Sequence, residues 1–514
     1  MPSGAILGAA ARWTAGDREA AEVTLRIAAA EPWSRRTSAA IATSAALHRP
    51  DLAPATLPHA TRPRETHAAA LLSRERGELT AALGMASGTR RLRRFGGVVR
   101  GELALLAGDV APPRPSSGGG AAVVHVVTNA LPDVVAGYTT RTHGIASAQA
   151  ASGEVVVATR LGFPVAGGAV RAKASVARDG VRYERRNPKR GEAGTVDVAA
   201  AAEARALVET AREARILHAH SHHVNGTVAQ LAARSLGVPW IYEVRGFLEE
   251  TWVARGGDPG AEFVSLARDA ETRVMLAADH VVTLSTGMRD EVVSRGVAIE
   301  RVTVVPNAVA DEWLSGPEAA ASARARLGIE AGTLLVGTVS SINGYEGLEL
   351  IAETVLALRA LGVSAHGVVV GDGPALPELK AANAEAVVRF VGKVSTGEAR
   401  EWHRAIDVFL VPRLDTSVTR VVTPIKPLEA MATGSLVVAS DLPALREVVP
   451  GESGGLVLAR DATAWARAIA DVVERGELAA RGNAAREWIA GHRTWSALVG
   501  TYDSLYARAG ARVD

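Results

Sequence analysis

Cysteine is absent from all 514 residues, so no disulfide framework, thiolate metal site or cysteine nucleophile is available. An excess of one charge is missing too: 57 Lys and Arg stand against 55 Asp and Glu, a net charge of +2. That balance argues against a nucleic-acid backbone as main partner, which would need a strongly basic surface. No stretch reaches the roughly 18 apolar residues of a membrane span. The opening "MPSGAILGAAARWTAGDREAAE" meets charge too soon for a signal peptide. A reducing cytoplasm is the simplest setting, and any membrane contact is expected to be peripheral, at its inner face. What is present is a globular composition, 48% hydrophobic and 22% charged, in a chain long enough for two or three cores.

Residues 1–110 are rich in Ala and Arg and read as a helical accessory region, with "AARWTAGDREAAEVTLRIAA" and "AALLSRERGELTAAL" patterned as helical hairpins. The run "APPRPSSGGG", residues 111–120, is expected to be a linker. Beyond it, short β-branched runs ("AVVHVV", "EVVVAT", "ILHAH", "PWIYEV", "HVVTLS") alternate with amphipathic helical stretches. A second series follows from "LLVGTV" through "HGVVVGDG", "VRFVG", "VFLVP" and "SLVVAS" to "GGLVLA". Such alternation predicts parallel sheets covered on both faces, and two series predict two doubly wound α/β domains, residues 121–300 and 301–485, joined near "RVTVVPNAV". Residues 486–514 read as a final amphipathic helix. Ligands of such sheets bind beyond the carboxyl ends of the strands, so the loops there carry the chemistry.

One of those loops is "VTPIKPLEAMATG", residues 422–434, between two buried strands. Lys426 stands at the mouth of a short helix and Glu429 one turn inside. With Arg413 or Arg420 nearby, the mouth suits a diphosphate. A carboxylate in that place can accept two hydrogen bonds from vicinal hydroxyls such as a ribose offers, about 1.5–3 kcal/mol each. Position alone fits equally a Glu429 that complements the helix dipole and a solvated Lys426. In "GVVVGDGP", Gly371, Asp372 and Gly373 end a strand where missing side chains let a ligand approach the backbone. "LHAHSHHVNG" sets His218, His220, His222 and His223 at a strand end. Alternating faces and the lack of an acidic partner at ligand spacing speak against a metal there. They leave His218 a structural role and give His220 and His222 the cleft. "TRRLRRFGGVVR" mixes arginines with apolar residues; it is either a solvated helix face or a segment that lies on an anionic membrane.

Taken together, "GVVVGDGP", "VPNAV", "FVGKVS", "ADHVVTLS" and "PLEAMATGSLVVAS" resemble, in order and spacing, the retaining glycosyltransferases of family four. Those enzymes have the GT-B fold, two Rossmann-like domains facing a cleft. The resemblance spans residues 121–508. It implies transfer of a sugar from a nucleotide diphosphate sugar, most commonly a uridine one, to a glycan, lipid-linked or small-molecule acceptor, with no obligatory metal or other cofactor. Glu429 then resembles the second glutamate of the E-x7-E motif and binds the ribose. Gly371, Asp372 and Gly373 border base and ribose. Thr423, Pro424, Lys426 and Leu428 bracket the diphosphate and sugar. "LPDVVAGYTTRTHGIASAQ" resembles the first βα loop, with Gly137 against the donor and Tyr138, Arg141 and His143, joined by Glu243, toward the acceptor. The final helix is implied to cross back to the first domain.

Three departures accompany the resemblance. Val421 stands eight positions before Glu429 in place of the first glutamate. "GTVSSINGYEGLEL" lacks the usual Arg and Lys for the pyrophosphate, with Ser340 and Glu346 near their places. Arg245 in "EVRG" stands where many members have a histidine near the anomeric carbon. Arg413, Arg420 and Lys426 are expected to restore the charge, and Arg245, His220, His222 and Lys426 to be the catalytic groups. "EVRG", "YEGL" and "TPxKPLEAMA" together resemble a branch active in bacterial surface polysaccharide and glycoconjugate assembly. The alternative is a catalytically silent, sugar-nucleotide-binding scaffold subunit, which the missing glutamate favours.

Overall fold

The computed structural model describes residues 3–14, 18–57, 59–165, 172–188, 194–330, 332–382 and 387–510. Helices Ser3–Thr14, Arg18–Ala30, Arg35–Ala46 and Pro63–Glu75 bury Ile6, Leu25, Ile41 and Leu72 in a core of their own. Helix Arg90–Ala107 starts at Thr89, whose hydroxyl accepts from Leu92 N–H, and stops at Gly108 in the left-handed region. Its apolar stripe, Phe95, Val99 and Leu106, packs with Ala267 and Ala270 of helix Glu262–Ala277. The stripe proposed for a membrane is therefore spent inside the protein, and the arginines lie on the outer face. No described helix is long and apolar enough to cross a membrane. The expected linker at 111–120 is likewise fastened. Ser116 and Gly118 N–H donate to the Ser235 and Leu236 carbonyls, and a Cβ on Gly120 would stand 2.4 Å from the Glu213 oxygen. Its glycine permits close approach rather than slack.

The first sheet has eight strands: β1 (Ala122–Val127), β2 (Val155–Thr159), β3 (Ser175–Arg178), β4 (Val181–Glu184), β5 (Ala214–His220), β6 (Trp240–Glu243), β7 (His280–Thr283) and β8 (Val302–Val304), in the order β3-β4-β2-β1-β5-β6-β7-β8. All neighbours are parallel except the β3–β4 hairpin, an edge addition that the alternating pattern does not reveal because β3 is largely exposed. The second sheet is wholly parallel: β9 (Leu334–Val339), β10 (Ala365–Val370), β11 (Val388–Gly392), β12 (Val408–Val411), β13 (Leu436–Ser440) and β14 (Leu456–Leu458), ordered β11-β10-β9-β12-β13-β14. Helices on both faces explain why its central strands are continuous runs of buried Val and Leu. The order reverses between β1 and β5 and between β9 and β12, the two crevices where an α/β sheet takes its ligands.

The expected boundaries shift. Strand β8 pairs with β7, so the first sheet continues past residue 300 and the chain crosses at Val305–Asn307. Helix Leu478–His492 stays on the second sheet, where Ala485 and Ile489 share a core with Leu428. The return crossing falls at Arg493–Thr494, where Val309 bridges to Thr494. Helix Trp495–Gly510 then packs Trp495, Tyr502, Leu505 and Tyr506 against Ile145, Ile216 and Val305. That approach depends on Gly144, where a Cβ would lie 2.1 Å from the Trp495 indole nitrogen.

Candidate active site

At the crevice of the second sheet, the loops after β9 and β12 meet the short helix Lys426–Ala432. Lys426 Nζ donates to Ser340 Oγ at 2.6 Å and stands 3.5 Å from Glu346 Oε1. Arg413 grips the same carboxylate with Nε and Nη2 at 3.2 and 3.1 Å. Burial works against the charge on Glu346, which is 4% exposed, but Lys426 and then Arg413 outweigh it and hold the carboxyl below its usual range. Burial lowers Lys426, with Glu346 opposing. The cationic pair is thus assembled around a buried acid.

Glu429 lies beside it with its side chain 18% exposed and His403 Nε2 at 3.5 Å from Oε2. His403 is stacked on Phe409 and edge-on to Trp313, and burial, with Lys426 second, holds it neutral at about 3. Burial pushes Glu429 up to about 7 against the pull of Lys426 and Arg400. Its carboxylate has capacity left to accept hydroxyl protons from the cleft side.

Other expected donor contacts fall differently. Thr423, Pro424 and Leu428 are buried; Leu428 belongs to the core, and the Thr423 carbonyl accepts from Asn307 Nδ2 at 2.8 Å. These three frame the loop instead of facing a ligand. Arg420 pairs with Asp415 at 2.5 and 2.6 Å on the exposed side of helix Ser417–Val421. Gly371, at φ 131°, and Gly373 serve the protein's own backbone: Cβ atoms there would lie 1.8 Å from the Ser340 oxygen and 2.3 Å from the Ile342 oxygen. Asp372 is exposed and caps Gly373 N–H at 2.8 Å. Gly137 faces Ile425 Cδ1 at 3.8 Å from a built Cβ, so the first βα loop lies against the loop that carries Lys426 and Glu429. Val421 has a physical explanation: it packs on the first domain's core, and its carbonyl accepts from Ser285 Oγ at 3.0 Å. A carboxylate there would be buried against the other domain.

On the facing sheet, several expected contacts turn inward. Arg141 and Glu243 are 1% and 0% exposed and pair with each other at 3.0 Å, out of an acceptor's reach. His143 is held by Tyr183 OH at 2.6 Å and Asp179 at 2.9 Å, facing the β3–β4 hairpin. Arg245 donates to Glu243, Tyr138 O, Thr142 Oγ1 and His220 Nδ1, which leaves one N–H uncommitted. His220 is 2% exposed with both nitrogens engaged, so it does not touch a substrate in this conformation. Tyr138 stays 43% exposed, and His222, at the start of helix His223–Leu236, has a buried Nδ1 without a partner. These two are the expected cleft groups that remain available.

The metal argument from strand alternation is corrected in part. His218 and His220 share a face of β5, and His125 from β1 joins them, their nitrogens within 4.8 Å, beside Glu243. His125 escaped notice because it lies on a strand distant in sequence. One proton assignment accounts for the contacts: Arg245 donates to His220 Nδ1, His220 Nε2 to His125 Nδ1 (2.8 Å), and His125 Nε2 to Gln149 Oε1 (2.8 Å). Gln149 Nε2 then donates to Tyr506 OH (2.8 Å), and Tyr506 OH to His218 Nδ1 (2.8 Å). Burial keeps all three imidazoles neutral, reinforced at His220 by the Arg245 charge and opposed at His218 by Glu243.

Comparison with known proteins agrees with this architecture. The family model described as "Glycosyl transferase 4-like domain" matches residues 136–308, and that described as "Glycosyl transferases group 1" matches residues 333–475. The chain is 30% identical over 311 residues to the D-inositol 3-phosphate glycosyltransferase of Thermobispora bispora, covering 57% of this chain and 71% of that one. It is 28% identical over 303 residues to the alpha-maltose-1-phosphate synthase of Mycolicibacterium smegmatis, covering 55% and 74%. Among solved structures, Anabaena Alr3699/HepE in complex with UDP superposes with a TM-score of 0.58 at 16% identity, over 75% of this chain and 99% of that one. The sucrose-phosphate synthase of Thermosynechococcus elongatus gives 0.59 at 19%, over 76% and 99%. Those likenesses establish the GT-B fold. With both family models matched in order across its two sheets, the chain belongs to the group 1 glycosyltransferases.

Proposed function

We propose that the protein moves a sugar, with retention of anomeric configuration, from a uridine diphosphate sugar to a hydroxyl of a glycan or lipid-linked acceptor in surface polysaccharide or glycoconjugate assembly. The observation that carries this is the cluster at the second crevice: a partly open Glu429 next to a Lys426 that reaches across to Ser340 and Glu346. Glu429 would accept the two ribose hydroxyls, and Lys426 would meet the diphosphate. As the glycosidic bond to the leaving oxygen breaks, negative charge gathers on the diphosphate, and Lys426 offsets it in a crevice sheltered from water. The acceptor oxygen attacks from the face that the phosphate leaves, and that phosphate takes the hydroxyl proton, so no protein base or metal is required. The segment at 340–346 lacks its own lysine, and Lys426 supplies the cation from the other loop.

Calorimetric binding of UDP, GDP and ADP to the wild type and to Glu429→Ala tests the reading. UDP should bind most tightly and the variant should lose it. If no nucleotide binds, or the variant binds as the wild type does, the donor assignment falls. Turnover of the donor that binds, followed by NMR of the product's anomeric proton, decides retention.

A further inference from the structure

Arg141 is 1% exposed, and all five of its N–H groups are spent. Nε donates to Glu243 (3.0 Å), and Nη2 to the Val305 carbonyl (2.8 Å) and Tyr502 OH (3.1 Å). Nη1 donates to the Pro306 carbonyl (2.8 Å) and Asn307 Oδ1 (3.2 Å). These partners include the outward crossing of the chain, 305–307, and Tyr502 on the last helix, which follows the return crossing and packs on the first domain. A guanidinium can only donate, so it forces the Asn307 oxygen toward itself and the Asn307 amide nitrogen away. That nitrogen donates to the Thr423 carbonyl at 2.8 Å, three residues before Lys426 and six before Glu429. Both Asn307 and Thr423 are 5% exposed, so breaking their bond leaves polar groups poorly solvated.

We infer that Arg141 and Asn307 are positioning residues that set the loop carrying Lys426 and Glu429 from the hinge between the domains. The inference rests on the donor reading above for its functional meaning, but the mechanical link is independent of it. The first domain, through Glu243, fixes Arg141; Arg141 fixes the amide of Asn307; Asn307 fixes the backbone at Thr423. A change of hinge angle is thereby felt at the loop that carries Lys426 and Glu429.

The test uses the full chain. Asn307→Asp keeps an acceptor for Arg141 but turns a second oxygen against the Thr423 carbonyl; Asn307→Ala removes both contacts; Thr423→Val keeps the carbonyl, gives up only the longer contact of Asn307 Nδ2 with Thr423 Oγ1 (3.3 Å), and serves as the side-chain control. Backbone hydrogen exchange over residues 417–432, read without nucleotide, should quicken about tenfold in both Asn307 variants and stay near wild type in Thr423→Val. UDP affinity should fall about tenfold in the same two variants while the melting transition remains single and cooperative. The donor KM should rise more than kcat falls. Exchange over 417–432 that is the same in wild type, Asn307→Asp and Asn307→Ala overturns the inference, as does equal loosening in Thr423→Val. Quickened exchange in a protein whose UDP binding ignores Glu429→Ala leaves the hinge link standing and removes the donor reading alone.

Discussion

Glu429 shows at the scale of one residue how burial tunes a carboxyl at the mouth of a crevice. Its carboxyl is pushed up to about 7 from 4.5, chiefly by burial. The unfolded chain therefore releases this proton first, and the group subtracts stability as pH rises from about 4.5 to about 7. If the ionised form accepts the ribose hydroxyls, UDP affinity should strengthen across that window and level off above it, at up to tenfold per pH unit on the rising limb. Titration calorimetry at several pH values should show the rise in wild type and a weak, flat profile in Glu429→Gln; a flat wild-type profile counts against an ionised Glu429 in the bound state. Lys426 is the second residue to test. Lys426→Ala should weaken UDP binding far more than alanine at Lys380, a lysine on the separate helix Leu376–Ala382, and equal effects would sink the role assigned to Lys426. Because Lys426 and Glu346 share a buried contact at 3.5 Å, thermal melts of Lys426→Met, Glu346→Gln and the double variant should reveal a coupling of about 1–3 kcal/mol.

At the scale of elements, packing turns on small residues that let backbones approach. Gly144 is pressed against Trp495, with a built Cβ 2.1 Å from the indole nitrogen. Gly144→Val should therefore lower stability by about 1–3 kcal/mol and loosen the last helix, seen as a lower melting temperature and faster exchange over Trp495–Gly510. An unchanged melting temperature would mean that the helix is free to shift. The same principle operates after β10. The glycines of "GDG" were legible as places of close approach, yet the approaching group is the backbone of the neighbouring loop, 340–342, and only the fold could identify it. The strands of both sheets were legible because parallel strands buried on two faces are written as β-branched runs. The exposed β3–β4 hairpin carries no such signal.

Across the whole molecule, two crossings join the domains, and one buried cation of the first domain, Arg141, grips the outward one. Arg141→Met would leave Glu243, 0% exposed, with a reduced set of partners. Arg245 Nε and Tyr502 OH, both at 2.7 Å, still serve it, so the cost should fall below the ~3–5 kcal/mol of an uncompensated buried charge. The variant should melt well below wild type, and adding Glu243→Gln should recover part of the loss; no recovery would show that the carboxylate is not what makes the variant unstable.

The fold class, the order of the elements and the loop that carries Lys426 and Glu429 could be read from the sequence alone, because they follow from short-range periodicity and from motifs whose members lie within a few residues of each other. Glu429 and Lys426 were singled out that way, and the structure sets them beside each other at the second crevice. Only the tertiary structure decided which charged groups face the cleft and which face each other. Arg141, Glu243, His143, His220 and Arg420 have the chemistry of binding residues, yet each is spent on a partner distant in sequence or turned away from the crevice. The reason is physical: a charge must be matched wherever water is excluded. Its match comes from whichever strand or helix the fold brings alongside, and one chain's spacing does not encode that neighbour.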